Sequence, residues 1–406
     1  MTPKFSSKEI HFLKTESDDL TITPPQSYFC DLILSKTDQI KAFEKRLEKT
    51  DIPQENFFIA VMKISSNICD ALLEKVKTTF ETTFNLFLDH DRGLWESLDD
   101  LSFVLAFWDY ENEQKASQLL VSLKEKMSAA LKTDILAGVA GFPFHDFKKA
   151  DILENALKAI DHAAFFGPNT LTCFDAVSLN ISGDRFYQLN ESELAEKDYI
   201  KGLEIKPDNI NLINSLGVCY GVTGQLDRAR KEFERAIKIN PEDVMVIYNI
   251  GLLFRIDDDI DKAIAYLKKA HGIDDHIFEV ELLLGHLLFI KEKPGLAMPH
   301  LESAARINPD SGAAHRLKGE IFLADNLLEE AALAFNRAIK LNPSDAVSLS
   351  GYAKSLELQD KNLTIALSFA RNSIALEPDN TLFKQRLAQI QEKIDAPIDS
   401  SQIKTA

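Results

Sequence analysis

The chain has 406 residues, of which 45% are hydrophobic, and this is enough for two or three packed domains. Its formal net charge of −17 argues against nucleic acid or an anionic membrane as the main partner, because phosphate binding requires clustered Lys and Arg. Four widely spaced cysteines without a C-x-x-C pair indicate neither a disulfide framework nor a zinc site.

Targeting signals are not recognisable in the sequence. The first nineteen residues have no apolar core of the kind that a signal peptide carries. No run approaches the roughly 20 apolar residues that a membrane helix requires. We therefore expect a protein of the cytoplasm without a membrane partner.

Residues 1–50 predict an N-terminal arm and a lead-in helix. The segment up to about Gln26 is polar and ends in two prolines, which favours a loose arm. Ser27–Lys49 carries a helical pattern and leads to Pro53, where that helix is expected to have ended.

Residues 51–175 change to an alternation of strands and helices, which predicts an α/β domain with a sheet covered by helices. Continuous apolar runs predict buried strands, and amphipathic stretches predict helices. The predicted strands are Phe57–Ile64, Leu101–Phe107, Ile135–Phe142 and Leu171–Phe174, and the predicted helices are Asn67–Phe84, Asn112–Leu131 and Asp151–Phe165.

The end of this segment resembles the closing half of a GGDEF domain, the fold of bacterial diguanylate cyclases. A strand with small residues, Ile135–Gly141, is followed by a helix and exit turn in which Ala159, Ala163, Gly167 and Asn169 match the family pattern. The resemblance implies a guanine-nucleotide site with two divalent metals held by carboxylates.

The catalytic half departs from that family. The signature position lies in a hairpin and has lost both of its glycines, and at the end of the first strand Lys63 stands where a metal-binding aspartate is expected. We therefore predict a degenerate domain without catalytic residues, metal or cofactor, while a guanine nucleotide remains a possible ligand. The acids of the signature are either a retained metal or nucleotide contact or solvated turn residues, and the second is favoured. The signature reads Ser97, Leu98, Asp99, Asp100 and Leu101.

From Ala176 onward the sequence repeats itself every 34 residues. The step links five glycines and, in the same phase, five alanines. Within one copy, Gly217 and Ala229 are small where two helices would approach each other, and Tyr220 and Phe233 would fill the space between them. Such a period indicates stacked helix pairs, which usually bind partners. The glycines are Gly183, Gly217, Gly251, Gly285 and Gly319, and the alanines are Ala195, Ala229, Ala263, Ala297 and Ala331.

These units resemble tetratricopeptide repeats (TPRs), and the resemblance implies an all-α superhelical solenoid. Six copies occupy residues 176–379, and residues 380–406 predict a capping helix and a tail. In this family the first helix of each pair lines a concave groove. Here amide side chains could hold an extended peptide and arginines could pair with a carboxylate. The predicted groove residues are Asn214, Tyr248, Asn249, Arg255, His286 and Arg316.

Two functions of different class follow. In the favoured one, the protein is a non-catalytic signalling or assembly adaptor whose groove binds a protein or peptide. Its degenerate GGDEF-like domain would then dock a partner or sense a nucleotide. In the alternative, the N-terminal domain is an active or residual nucleotidyl cyclase, and the repeats localise it.

Overall fold

The computed structural model describes residues 11–13, 27–53, 55–64, 70–87, 92–110 and 112–395. Most of the predicted N-terminal arm and the predicted tail after residue 395 lie outside the described residues. The chain divides into two compact units. The described residues of the N-terminal unit lie within 27–240, and those of the C-terminal unit are 241–395 together with 11–13.

The N-terminal unit contains a mixed sheet of five strands among its described residues, in the order β2-β3-β1-β4-β5. Neighbouring strands are antiparallel except for β4 and β5, which are parallel. All four predicted strands agree with observed ones to within one residue at each end. The hairpin strand β2 was not predicted as a separate strand, because it is short and half-buried. The strands are β1 Phe57–Ile64, β2 Gly93–Ser97, β3 Ser102–Trp108, β4 Ile135–Phe142 and β5 Leu171–Cys173.

Helices accompany these strands. Lys36, in the left-handed region, ends the first helix, and Thr37 caps the second, so the predicted lead-in helix is two helices. The predicted start of the helix after β1, Asn67, lies outside the described residues. The helices are α1 Asp31–Ser35, α2 Asp38–Lys49, α3 Asp70–Phe87, α4 Glu113–Leu131 and α5 Ile152–Phe165.

The first four strands and the helices between them form a β-α-β-β-α-β arrangement of the ferredoxin-like type. Helix α3 connects β1 to β2, and strand β3 lies between these two strands in the sheet. This topology agrees with the predicted sheet covered by helices. It hosts many unrelated functions, so the GGDEF-like identity of the domain stays a prediction.

Strand β1 is buried on both faces, which explains its unbroken apolar sequence. Phe57, Ile59 and Val61 belong to one hydrophobic core, whereas Phe58 and Met62 belong to the core on the other side of the sheet. A residue period of two therefore distributes one apolar run between two helix layers.

Strand β4 has small residues because a helix crosses it at backbone distance. A Cβ atom added at Gly138 would lie 2.0 Å from the backbone nitrogen of Ile160 in α5. Any side chain at this position would push the helix away from the sheet, so the glycine permits the contact.

The repeats form helix pairs in both units, and their first helices begin 34 residues apart. The N-terminal unit contains α6 Ala176–Gln188, α7 Ser192–Ile205, α8 Ile210–Val222 and α9 Leu226–Ile239. The C-terminal unit contains α10 Val244–Ile256, α11 Ile260–Ile273, α12 Phe278–Ile290, α13 Pro294–Ile307, α14 Gly312–Ala324, α15 Leu328–Leu341, α16 Ala346–Leu358, α17 Leu363–Leu376 and α18 Thr381–Asp395.

Each pair packs small residues against large ones, as the sequence predicts. A Cβ atom at Gly217 would lie 2.5 Å from the Phe233 ring of the paired helix, and at Gly319 it would lie 2.9 Å from the ring of Phe335. The last helix, α18, buries Phe383 and Ile390 and is exposed over most of its other positions, as expected of a cap.

Candidate functional site

The signature acids of the N-terminal domain lie in the turn between β2 and β3. The Oδ1 atom of Asp99 accepts a hydrogen bond from the backbone N–H of Leu101 at 2.8 Å. The hydroxyl of Ser97 donates to the carbonyl oxygen of Asp99 at 2.5 Å. Asp99 and Asp100 are both exposed. The side chain of Asp99 therefore closes its own turn, a local role that aspartate commonly takes.

Lys63 places its positively charged ammonium group near the end of β1. Its Nζ atom lies 3.5 Å from the hydroxyl oxygen of Ser27 and 5.2 Å from the centre of the Phe29 ring. An ammonium group in this position repels a divalent metal rather than binding it.

The C-terminal unit contains a contact between a predicted groove residue and the backbone of a segment that is distant in sequence. The backbone N–H of Leu13 donates to Oδ1 of Asn249 at 2.7 Å, and Nδ2 of Asn249 donates to the carbonyl oxygen of Leu13 at 2.6 Å. One amide side chain thus satisfies both backbone groups of a single residue, and these two residues are 236 positions apart.

Burial distinguishes the three residues of this N-terminal segment. Phe12 is 9% exposed, Leu13 is half-buried and His11 is exposed. Asn249 itself is fully buried. The contact therefore combines a backbone clamp with burial of one aromatic side chain.

The other predicted groove residues are mostly buried. Tyr248 and His286 are fully buried, Arg316 is 4% exposed, and Arg255 is half-buried. Asn214, in the N-terminal unit, is fully buried.

Three of these residues are electrostatically coupled. Burial, together with the positive charges of Arg255 and Arg316, lowers the pKa of His286 to about 3. The Nε atom of Arg316 lies 3.7 Å from Oδ2 of Asp345, the carboxylate that caps α16. His286 is thus neutral at physiological pH. The two arginines that disfavour its protonation are Arg255 of α10 and Arg316 of α14.

A second feature of this unit is a cavity of about 980 Å³ between the last repeats and α18. Its lining includes Phe289, Glu320, Phe383 and Arg386. Burial raises the pKa of Glu320 to about 7, although Arg316 and Arg386 oppose the shift. The cavity therefore combines apolar walls with a carboxyl group and a guanidinium group.

Arg386 was not among the predicted site residues, although the sequence contains a signal for it. It follows Phe383 by three residues and precedes Ile390 by four, so it lies on the face of α18 that packs against the repeats. Its Nη1 atom donates to the hydroxyl oxygen of Ser350 at 3.0 Å. A charged residue within an apolar stripe indicates such an inward position.

Sequence models of the tetratricopeptide repeat match residues 211–243, 246–276 and 282–346. The chain therefore contains tetratricopeptide repeats, as its period predicts. A search of curated proteins gave no match. In the part of the chain that the structure describes, no helix has both the length and the apolar character needed to cross a membrane.

Several solved structures are similar to part of this chain. YrrB, described as a TPR protein with an unusual peptide-binding site, is 19% identical, with 46% of this chain and 96% of that chain covered and a TM-score of 0.41. PilF of Pseudomonas aeruginosa is 18% identical, with 53% and 97% covered and a TM-score of 0.49. PilW, described as a type IV pilus biogenesis factor, is 17% identical, with 52% and 98% covered and a TM-score of 0.45.

Proposed function

We propose that this protein is a non-catalytic adaptor that binds an extended segment of a protein partner in the groove of its tetratricopeptide repeats. The matched repeats support this class of function, because stacked helix pairs commonly present binding surfaces. The observation that carries the proposal is the clamp of Asn249 on the backbone of Leu13.

The clamp supports a particular kind of ligand. Because Asn249 clamps the backbone N–H and carbonyl groups of Leu13, this contact does not depend on the side chain of the clamped residue. The burial of Phe12 adds a preference for an aromatic residue immediately before the clamped position. The preferred partner segment is therefore extended, with an aromatic residue immediately before the clamped position.

The segment of this chain around Leu13 then competes with the partner. A tethered ligand has a high effective concentration at its own site, so a free peptide must displace it. In this proposal the N-terminal segment occupies the groove until a partner segment with a higher affinity displaces it.

A labelled peptide with the sequence of residues 8–17, KEIHFLKTES, tests this proposal by fluorescence anisotropy. We expect weak binding to the wild-type protein and at least about tenfold tighter binding to Leu13→Pro, because proline removes the N–H that Asn249 accepts. The matched control is Leu13→Ala, which keeps this N–H and is expected to change the affinity less.

Adding Asn249→Ala to Leu13→Pro is expected to abolish the gain in affinity. Equal binding of the peptide to wild-type and Leu13→Pro proteins would contradict the proposed competition. Binding that survives Asn249→Ala would place the peptide site elsewhere.

The degenerate GGDEF-like domain, in this proposal, serves as a docking or nucleotide-sensing module. The local hydrogen bond of Asp99 and the position of Lys63 support a loss of catalysis. Calorimetric titration with GTP and with cyclic di-GMP in magnesium, followed by analysis for product, tests this part. Binding without product would support nucleotide sensing, and product formation would support the cyclase alternative.

A further inference from the structure

Three side chains capable of binding a metal converge in the C-terminal unit, and none of them belongs to the Asn249 clamp. His271 lies in the last turn of α11, Glu281 in the first turn of α12, and His300 in the middle of α13. We call these three residues the histidine–glutamate trio. Neither the adaptor function nor the repeat pattern requires these residue types.

The two imidazoles contact different oxygens of the Glu281 carboxylate. The Nδ1 atom of His271 lies 2.5 Å from Oε1 of Glu281, and Nδ1 of His300 lies 2.8 Å from Oε2. The two rings are nearly perpendicular, at 85°, with their centres 4.8 Å apart. Potential ligand atoms of all three residues lie within 4.8 Å of one another.

Burial requires that the Glu281 carboxylate be paired, and the two imidazoles contact both of its oxygens. Glu281 is 1% exposed, and an ionised carboxylate at such a position must be paired. The side chains of His271 and His300 are 38% and 17% exposed, so the trio has one edge in contact with solvent. An ion would reach the trio from this solvent-exposed edge.

We propose that the histidine–glutamate trio binds a divalent transition metal ion of the zinc type. Two imidazole nitrogens and a carboxylate oxygen, completed by water, form a ligand set that zinc uses in proteins. Tetrahedral ligands about 2.1 Å from a metal are separated from each other by about 3.4 Å. The two N···O separations of 2.5 and 2.8 Å are shorter than that value, so the imidazoles would have to rotate away from the carboxylate to admit the ion.

The ion would connect two consecutive repeats. His271 belongs to the second helix of the third repeat, whereas Glu281 and His300 belong to the two helices of the fourth. Contacts between neighbouring repeats are the main source of stability in such arrays. The metal therefore stabilises this junction, and the net charge of −17 favours the approach of cations.

Titration of the metal-free full-length protein with Co²⁺ alone tests the proposal. Four-coordinate Co²⁺ gives visible d–d absorption, and Zn²⁺ added afterwards should displace it. We expect one tight site in the wild-type protein and an affinity at least about tenfold lower in Glu281→Gln and in His300→Gln, since even the loss of an outer-shell partner costs about 10–100-fold. Amide exchange in residues 271–300 should slow when Zn²⁺ is added.

The matched control is His276→Asn. His276 lies near Asp274 and Asp275 in an exposed group that could also attract a metal. Absorption that persists in His276→Asn and disappears in Glu281→Gln supports the trio. Absence of binding in the wild-type protein overturns the proposal, as does binding that Glu281→Gln retains and His276→Asn loses.

Far-UV circular dichroism of the metal-free variants separates loss of ligands from loss of fold. If Glu281→Gln or His300→Gln does not fold, the Co²⁺ affinity of His271→Gln tests the proposal instead. The side chain of His271 is the most exposed of the three. Unchanged Co²⁺ affinity in a folded His271→Gln protein would also overturn the proposal.

Discussion

The Nζ atom of Lys158 lies 2.6 Å from Oδ1 of Asp198, and the two side chains are only 5% and 3% exposed. Lys158 is in α5 of the α/β domain, and Asp198 is in α7 of the first repeat. The second carboxylate oxygen of Asp198 accepts a hydrogen bond from the Ser182 hydroxyl at 2.6 Å. A buried, hydrogen-bonded ion pair therefore joins the sheet domain to the first repeat within the N-terminal unit.

Removal of one member of this pair should destabilise the N-terminal unit strongly. We expect Asp198→Ala to lower the free energy of unfolding by about 3–5 kcal/mol, because it leaves the Lys158 cation buried and unpaired. The double variant Lys158→Met with Asp198→Leu should recover most of this loss, since it buries no charge. Urea unfolding of the three proteins provides the measurement.

The control is an exposed pair in the same unit. Arg46 and Glu96 lie 3.5 Å apart with side chains 53% and 38% exposed, so Glu96→Gln should change the stability by less than about 1 kcal/mol. Equal effects of Asp198→Ala and Glu96→Gln would contradict the importance of burial.

His286 should make the C-terminal unit sensitive to acid. Its pKa is about 3 when folded, compared with about 6.5 when unfolded. Between these values the unfolded chain binds a proton that the folded one does not, so this contribution to stability is lost progressively as the pH falls from about 6.5 toward 3. We therefore expect the stability advantage of the wild-type protein over His286→Gln to shrink between pH 7 and pH 4, as measured by urea unfolding. An advantage that is constant over this range would contradict the prediction.

Asp161 should make the N-terminal unit less stable as the pH rises, which is the opposite of the effect expected for His286. It accepts hydrogen bonds from the backbone N–H groups of Phe29 and Cys30 at 2.7 and 2.8 Å, yet burial raises its pKa to about 7. The folded state then binds more protons than the unfolded state between about pH 4 and pH 7. This contribution to stability is present at low pH and is lost as the pH rises through that range.

The variant Asp161→Asn isolates this effect. It cannot titrate, so its stability relative to the wild-type protein should improve as the pH rises from 4 to 7. Unfolding curves for both proteins at several pH values within this range provide the measurement, and parallel stability profiles would show that Asp161 does not bind a proton there.

The close approach of paired helices predicts a specific response to an added methyl group. In Gly217→Ala the new Cβ would lie 2.5 Å from the Phe233 ring, so we expect a loss of about 1–3 kcal/mol through overpacking. Gly295, in the first turn of α13, has no atom within 4 Å of an added Cβ, so Gly295→Ala should be neutral or slightly stabilising. Thermal unfolding compares the two variants, and equal melting temperatures would exclude steric contact at Gly217.

The local patterns of the sequence determined most of the secondary structure. The 34-residue period located the helix pairs, and β1 and β4 have the predicted bounds, because burial of a helix stripe or a strand face leaves a short-range periodicity. The tight packing of Gly217 on Phe233 was likewise predicted, since each repeat shows the same exchange of small and large residues.

Only the tertiary structure decided which distant side chains meet. The periodicity indicated that Asn249 lies on a first helix, but its contact with Leu13 depends on chain segments 236 residues apart. Lys158 with Asp198, and His271 with Glu281 and His300, are likewise set by how neighbouring helices pack. A hydrophobic pattern records how deeply each residue is buried but not which polar partner satisfies it, because the choice of partner depends on three-dimensional geometry.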